Sequence, residues 1–321
     1  MAAVADPPFA VGMFTREGGE PFCGLAIGAH VLDLGTRFGS SLTTSQLLAD
    51  WNSTLERLGA LAVDGDTHSL DYASLRPLPP VTPRQILCAG ANYYQHVRQI
   101  VFSTLRLEGD LRPEAERRAE AEEQVQRRVA SEPFLFAGLP SAVCGAHDDV
   151  VLAGPGRCHD WELELAVVIG RGGHDIPEEA AMEHVAGYTI ANDISTRDVM
   201  NRPGFPMTDF LMTKSRPTFF PLGPYLVPRQ FVPDPRALQI VLRVNGEVMQ
   251  DESVADIIHG VERLVAYAST VAGLAPGDLL LTGSPAGNAG HHGDRWLTPG
   301  DVIEGEITGL GVQRNRCVAP S

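Results

Sequence analysis

The sequence predicts an α+β chain that is mainly β, with a small β-rich N-terminal domain and linker over 1–80 and a larger domain over 81–321. Three observations carry this. The first 72 residues hold short apolar runs punctuated by glycine turns. Two longer apolar runs, 163–169 and 185–190, read as buried strands, and Asn245-Gly246 between two apolar stretches is a type I′ hairpin signal. Helical stretches are read at 43–61, around His96, in the charged segment 100–132 and at 257–268.

In chain order, F-A-V-G-M-F, F-C-G-L-A-I-G and H-V-L-D-L predict three short strands. A helix over 43–61 follows, capped by Thr44 or Ser45, with Leu47, Leu48, Trp51, Leu55 and Leu58 on one stripe. L-R-P-L-P-P-V-T-P crowds prolines into a stiff linker. A strand then runs through a glycine turn into a helix carrying His96. A lone histidine is commonly structural, but its place just past a strand-to-loop turn makes it a candidate base. The segment 100–132 reads as a helical insertion starting near Pro113, with Asp110 as cap and Ala115, Ala119, Val125 and Val129 on its weaker face. It is either a solvated helix or a lid over a site.

The chemistry gathers in D-W-E-L-E-L-A-V-V-I-G. Side chains alternate along a strand, so Glu162 and Glu164 share a face opposite Leu163, Leu165, Val167 and Ile169. Asp193 lies at the polar end of the second apolar run. A solvated face is one reading. The other is a hard-oxygen site for one divalent ion, since buried carboxylates need a partner; such ligands favour Mg²⁺, Mn²⁺ or Ca²⁺ over zinc. Lys214, isolated among prolines and aromatics, is a candidate for neutralising an anion. Beyond the hairpin, Ser253 with Asp256 caps a helix whose stripe is Ile257, Val261, Leu264, Val265 and Ala268, ended by Gly273 and Pro276. Three strands with P-G-D turns close the chain, and His291 and His292 fall in a glycine-rich loop read as exposed.

With 25 Lys+Arg against 40 Asp+Glu, the formal charge of −15 disfavours nucleic acid and anionic lipid. No apolar run approaches the length of a membrane helix. The five scattered cysteines lack C-x-x-C spacing and M-A-A-V-A-D-P-P-F lacks a leader pattern, so the expectation is a cytoplasmic chain with reduced thiols.

Seven pieces in order resemble the fumarylacetoacetate hydrolase superfamily: G-A-N-Y-Y-Q-H (90–96), F-L-F-A-G-L-P-S-A-V-C-G (134–145), D-W-E-L-E-L-A-V-V-I-G (160–170), G-Y-T-I-A-N-D-I-S-T-R-D (187–198), K-S-R-P-T-F-F-P-L-G-P (214–224), V-N-G-E-V-M-Q (244–250) and L-T-G-S-P-A-G (281–287). The resemblance covers about 85–318. It implies a mixed β-roll or barrel with flanking helices, a homodimer, and Mg²⁺ or Mn²⁺ (Ca²⁺ in vitro) held by Glu162, Glu164 and Asp193. It further implies Lys214 and His96 as catalytic groups, Arg197 and Thr282 as substrate-binding groups, and a small keto acid as substrate.

Two departures bear on the reaction. Many small members pair the histidine with a glutamate three residues later, where this chain has Gln99, which orients but takes no proton. Either an acid from the insertion, such as Glu108 or Glu114, completes the pair on closure, or the reaction needs no activated water. Met200 and Gly138 replace a glutamine and a lysine, pointing to a less polar substrate. The first expectation is a metal-dependent hydrolase cleaving a C–C bond in an acylpyruvate or related 1,3-diketo acid through an enolate. The alternative is a lyase or isomerase, a β-keto acid decarboxylase or enol-acid hydratase/isomerase, and a third reading is a non-catalytic keto-acid-binding protein.

Overall fold

The computed structural model describes residues 6–39, 41–64 and 69–320; residues 1–5, on which the leader reading partly rests, lie outside them. The first apolar runs form β1 (Ala10–Thr15), β2 (Phe22–Ile27) and β3 (His30–Asp33), antiparallel neighbours as expected. Three helices follow: α1 (Gly35–Phe38), α2 (Thr44–Leu48) and α3 (Trp51–Asp64). The stripe predicts one helix over 43–61, but the chain breaks it at Ala49 and Asp50. The cap is Thr43, whose hydroxyl accepts from Gln46 N at 3.3 Å while Gln46 Oε1 accepts from Thr43 N at 2.8 Å. That reciprocal box needs a glutamine three residues past the cap, which neither Thr44 nor Ser45 has.

β4 (Leu70–Asp71) and β5 (Arg76–Leu78) complete a five-stranded sheet in the order β4-β3-β2-β1-β5. β5 is part of the proline-rich segment read as a linker. Pro77 sits opposite Phe14 on this edge strand, where a residue without an N–H is tolerated.

The larger part begins with β6 (Ile86–Ala89) and the helical pair α4 (Tyr94–Leu107) and α5 (Glu114–Val129). The strands β7 (Leu135–Gly138), β8 (Val143–Gly145), β9 (Val150–Val151), β10 (His159–Asp160), β11 (Leu163–Ile169), β12 (Val185–Asn192) and β13 (Ser195–Thr196) come next. They are followed by α6 (Phe210–Lys214), β14 (Phe220–Leu222), β15 (Val227–Pro228), β16 (Gln239–Val244) and β17 (Glu247–Ser253). The chain ends with α7 (Val261–Val271), β18 (Leu279–Leu281), β19 (Val302–Ile307) and β20 (Gly311–Val318).

An eight-stranded mixed sheet runs β7-β6-β18-β11-β12-β14-β8 with β15 on β12, and a five-stranded sheet runs β17-β16-β19-β20-β9. β11 explains how they stack. Leu163, Leu165, Val167 and Ile169 enter a core shared with Ile240, Leu242, Ile303 and Ile307 of the five-stranded sheet. Ala166 and Val168 face the other way, clustering with Val11, Leu25 and Leu34 of the N-terminal sheet. A strand buried on both faces needs no polar alternation, which is why its run is continuous. The sheets pack closely at Gly305, where a Cβ would lie 2.5 Å from Leu163 Cδ1. The whole is the expected mixed β-roll with flanking helices.

The hairpin turn is as predicted, with Asn245 and Gly246 at φ 53° and 83°, the sense a type I′ turn requires. Ser253 caps only a short 3₁₀ turn, not the following helix: its hydroxyl accepts from Ala255 N at 3.1 Å, and α7 starts later, after Gly260. Asp256 serves a different helix, its Oδ2 accepting from Gln95 N at 2.9 Å in the first turn of α4. In the insertion, Ala115, Ala119 and Val129 are exposed. The buried positions of α5 are Ala121 and Val125, flanked by the half-buried Arg117, Gln124 and Arg128. α5 lies on α4, where Arg98 meets Glu122 at 2.7 Å.

Candidate active site

Glu162 stands immediately before β11, Glu164 within it, and Asp193 immediately after β12, which pairs antiparallel to β11 in the register Leu163↔Asn192 and Glu164↔Ala191. That register turns a sequence separation into a cluster. All three carboxylates are buried, and each places an oxygen within 4.8 Å of the others. Backbone and side-chain donors fix them: Asp193 N donates to Glu162 O at 2.9 Å, and Gly283 N donates to Glu164 Oε2 at 2.7 Å. Gly283 is at φ +96°, and a Cβ there would meet Asn92 Cβ at 3.0 Å and Ala89 O at 3.1 Å. Only glycine presents its N–H to Glu164 from that backbone without strain.

Two cations hold one side of the cluster. Lys214, buried at the end of α6, donates from Nζ to Asp193 Oδ2 at 2.6 Å and also to Glu162 Oε2, and lies 5.2 Å from the centre of the Phe136 ring. Arg197 donates to Glu162 Oε1 at 2.7 Å and to Asp160 Oδ2 at 2.8 Å. Burial would push Glu162 up, but Arg197 and Lys214 outweigh it and hold the carboxyl below its usual range. For Glu164 the balance is reversed: burial, then the charges of Asp193 and Glu162, hold it well above its usual range against Lys214 and the Gly283 N–H. Burial likewise raises Asp193 to about 6, with Lys214 opposing.

Asp193 Oδ1 is buried without a hydrogen-bond partner. An orphaned acceptor beside two mutually repelling carboxylates is what a missing cation leaves behind, and an all-oxygen donor set suits a hard divalent ion. Glu162, Glu164 and Asp193 therefore fit a divalent-metal site.

The cluster opens onto a cavity of about 570 Å³. His96 lines it, buried on α4 with its Nδ1 unpartnered. Burial, with Arg197 and Lys214 adding to it against Glu162, pushes its pKa down to about 4, so the ring is neutral at physiological pH. Met200, Phe134, Phe136 and Phe210 give the cavity an apolar wall, Phe136 and Phe210 stacking at 4.3 Å. Gly138 takes no part in that wall; its missing side chain faces Ile86 and Phe220.

Of the seven residues singled out in the sequence, six line the cavity or bind its carboxylates: His96, Glu162, Glu164, Asp193, Arg197 and Lys214. Thr282 stands apart, its hydroxyl donating to Leu165 O at 3.0 Å, while its neighbour Ser284 lines the cavity. Gln99 does not approach His96 through any hydrogen bond; its Oε1 accepts from Gly287 N at 2.9 Å. Neither acid of the insertion supplies a partner to the histidine, since Glu108 is exposed and Glu114 pairs with Arg118 at 2.7 Å. Asp160 went unread, although it continues the alternation of Glu162 and Glu164 two residues upstream.

Against known proteins, residues 85–318 match the family model described as fumarylacetoacetate (FAA) hydrolase C-terminal. A mitochondrial oxaloacetate tautomerase of Homo sapiens is 35% identical over 278 residues, 86% of this chain and 80% of that protein. Among solved structures, a fumarylacetoacetate hydrolase from Exiguobacterium antarcticum aligns with a TM-score of 0.73 at 26% identity, covering 97% of this chain and 100% of its own. A 5-carboxymethyl-2-hydroxymuconate delta-isomerase from Mycobacterium smegmatis aligns at 0.69 and 25%, covering 97% and 99%. The cytoplasmic expectation is corrected by these matches, because the tautomerase relatives are mitochondrial. All five cysteines are free, four of them buried.

Proposed function

From the premise that the chain belongs to the fumarylacetoacetate hydrolase family and is a metal-dependent enzyme, we propose that it is a keto–enol tautomerase acting on a small 2-oxo dicarboxylic acid of the oxaloacetate type. The isomerase alternative of the sequence reading thereby replaces the hydrolase that stood first, and a small diacid replaces the less polar substrate expected from Met200 and Gly138. The observation that carries this is the setting of His96: the ring is buried and neutral, with no carboxylate hydrogen-bonded to it and Glu162 acting on it through charge alone, while Gln99 is turned to Gly287 N. The histidine therefore lacks the hydrogen-bonded glutamate that the resemblance associates with activating water. It is well placed to carry a proton between two atoms of one substrate.

Glu162, Glu164 and Asp193 would hold Mg²⁺ or Mn²⁺. A bound divalent ion supplies Lewis-acid polarisation of the 2-oxo group. His96 takes the proton from C3 of the keto form as the C3–H electron pair becomes the C2–C3 double bond, and the imidazolium returns that proton to the 2-oxo oxygen. Ketonisation runs the same steps backwards, and nothing is consumed. Lys214 and Arg197 hold Glu162 ionised and in place. Phe134, Phe136, Met200 and Phe210 give the reacting atoms an apolar surround on one side.

The test follows the decay of the enol absorbance of freshly dissolved oxaloacetic acid with metal-loaded protein, with and without EDTA. Wild-type protein should accelerate the decay and His96→Ala should lower kcat at least about 100-fold, the usual range for removing a general base. Acceleration that survives EDTA, or cleavage of an acylpyruvate with water oxygen entering the acid product, would return the reading to another class.

A further inference from the structure

Three cationic side chains line the cavity, and two are paired with the carboxylate cluster: Lys214 with Glu162 and Asp193, Arg197 with Glu162 and Asp160. The third is Arg128, on the last turn of α5, and among the described residues its guanidinium makes no ion pair or hydrogen bond. Arg117 of the same helix also has a buried Nε without a partner, but only Arg128 of the two lines the cavity. Neighbours of Arg128 on the exposed face of α5 are paired at close range, Arg118 with Glu114 at 2.7 Å and Arg127 with Glu123 at 2.6 Å. Arg128 instead ends the inward stripe that begins with Arg117, Ala121 and Val125, where an amphipathic helix would ordinarily continue with an apolar residue.

Its position is set by the backbone. Ser131 closes the helix by donating to Arg128 O, from Oγ at 2.8 Å and from N at 3.2 Å, so the residue at the cavity edge is fixed in register. The helix itself is tied down by Arg98 to Glu122 at 2.7 Å, and just beyond its end Glu132 meets Arg263 at 2.8 Å. Arg128 shares the cavity wall with Ile100 and Phe134, both of them exposed.

We propose that Arg128 is the specificity residue for the distal carboxylate of the substrate, making the α4–α5 pair a selector of dicarboxylic over monocarboxylic 2-oxo acids. This rests on the 2-oxo acid reading of the site. The 2-oxo acid end lies at the acidic cluster, and the guanidinium fork receives the carboxylate at the other end through two parallel N–H···O contacts.

The test measures dissociation constants of Mn²⁺-loaded protein for two pairs of equal chain length, oxaloacetate with 2-oxobutyrate and 2-oxoglutarate with 2-oxovalerate, by calorimetry and by competition in the tautomerase assay. In wild-type protein at least one diacid should bind more than about 10-fold tighter than its monoacid partner, as loss of a charge-assisted contact implies. Arg128→Met should remove that preference by raising KM and Kd for the diacid, with kcat within about threefold. Arg128→Lys should restore part of it, and Arg127→Met, whose side chain is on the outer face, should change nothing. Equal affinities in wild-type protein, or a preference that persists in Arg128→Met, overturns the assignment. The underlying reaction fails separately: diacid preference without tautomerase turnover removes the reaction and keeps the subsite, whereas turnover without preference does the reverse.

Discussion

Replacing Glu164 with glutamine should stabilise the metal-free protein while abolishing its response to metal. The substitution keeps the shape of the side chain, and the amide oxygen can still accept from Gly283 N. What it removes is a charge. Glu164 lies within reach of Asp193 and Glu162, with oxygens no more than 4.8 Å apart. At that separation and an effective dielectric of about 20, one like-charged pair repels by about 3.5 kcal/mol. Lys214 sits against the other two carboxylates and offsets much of this, as does proton uptake by Glu164 itself, whose pKa burial and its neighbours have raised. A net gain of about 1 to 3 kcal/mol remains at pH 7.5, enough to raise Tm by several degrees. Thermal unfolding of wild type and Glu164→Gln, each with EDTA and with Mn²⁺, reads both effects. The wild type should gain strongly from Mn²⁺, the variant should start higher and gain nothing, and turnover should be lost. A variant that melts lower than wild type in EDTA and still responds to Mn²⁺ would refute the electrostatic account of the cluster.

Metal binding should also depend on pH. Burial holds Asp193 near 6 and Glu164 above its usual range, so the folded metal-free site retains protons that a cation must displace. Apparent Mn²⁺ affinity should fall as pH drops, by about tenfold per unit where Glu164 alone holds a proton and more steeply below about pH 6, where Asp193 holds one as well, with proton release visible as a buffer-dependent binding enthalpy; an affinity constant between pH 5 and 7.5 would contradict this. Gly283→Ala should cost about 1 to 3 kcal/mol in urea denaturation, because its φ of +96° and contacts of 3.0 and 3.1 Å leave no room for a methyl group. The same shift would move the N–H from Glu164 and weaken metal binding; an unchanged midpoint would mean that the backbone yields freely there.

What the sequence made legible followed from local periodicity. Glu162 and Glu164 declared a shared face because a strand alternates, and Leu163 to Ile169 declared burial because a surface strand would not be apolar on both sides. Asn245-Gly246 announced its turn because few residues adopt that backbone. The failures lie where tertiary contacts override local signals. Asp256 looks like a cap for the helix that follows it, yet it receives an N–H of α4, far away in sequence. The stripe of α5 was misread because its inward face includes arginines, and nothing local says that Arg128 ends at a cavity. Asp160 was within reach of the same alternation that revealed its neighbours. Gln99 was noticed as a departure, but its actual partner, Gly287 N, comes from a loop that only the closed β-roll brings near.

The bridging of Asp160 and Glu162 by Arg197 has a consequence for electroneutrality. With all groups ionised, the four carboxylates Asp160, Glu162, Glu164 and Asp193 face the two cations Arg197 and Lys214, and an excess of two negative charges is left in the interior. One divalent ion cancels it; a monovalent ion leaves half of it, and a trivalent ion reverses it. Valence discrimination is therefore written into the wall of the site before ligand distances are considered. Once the ion has brought that wall to zero, an entering dianion meets no repulsion from the carboxylates beneath it.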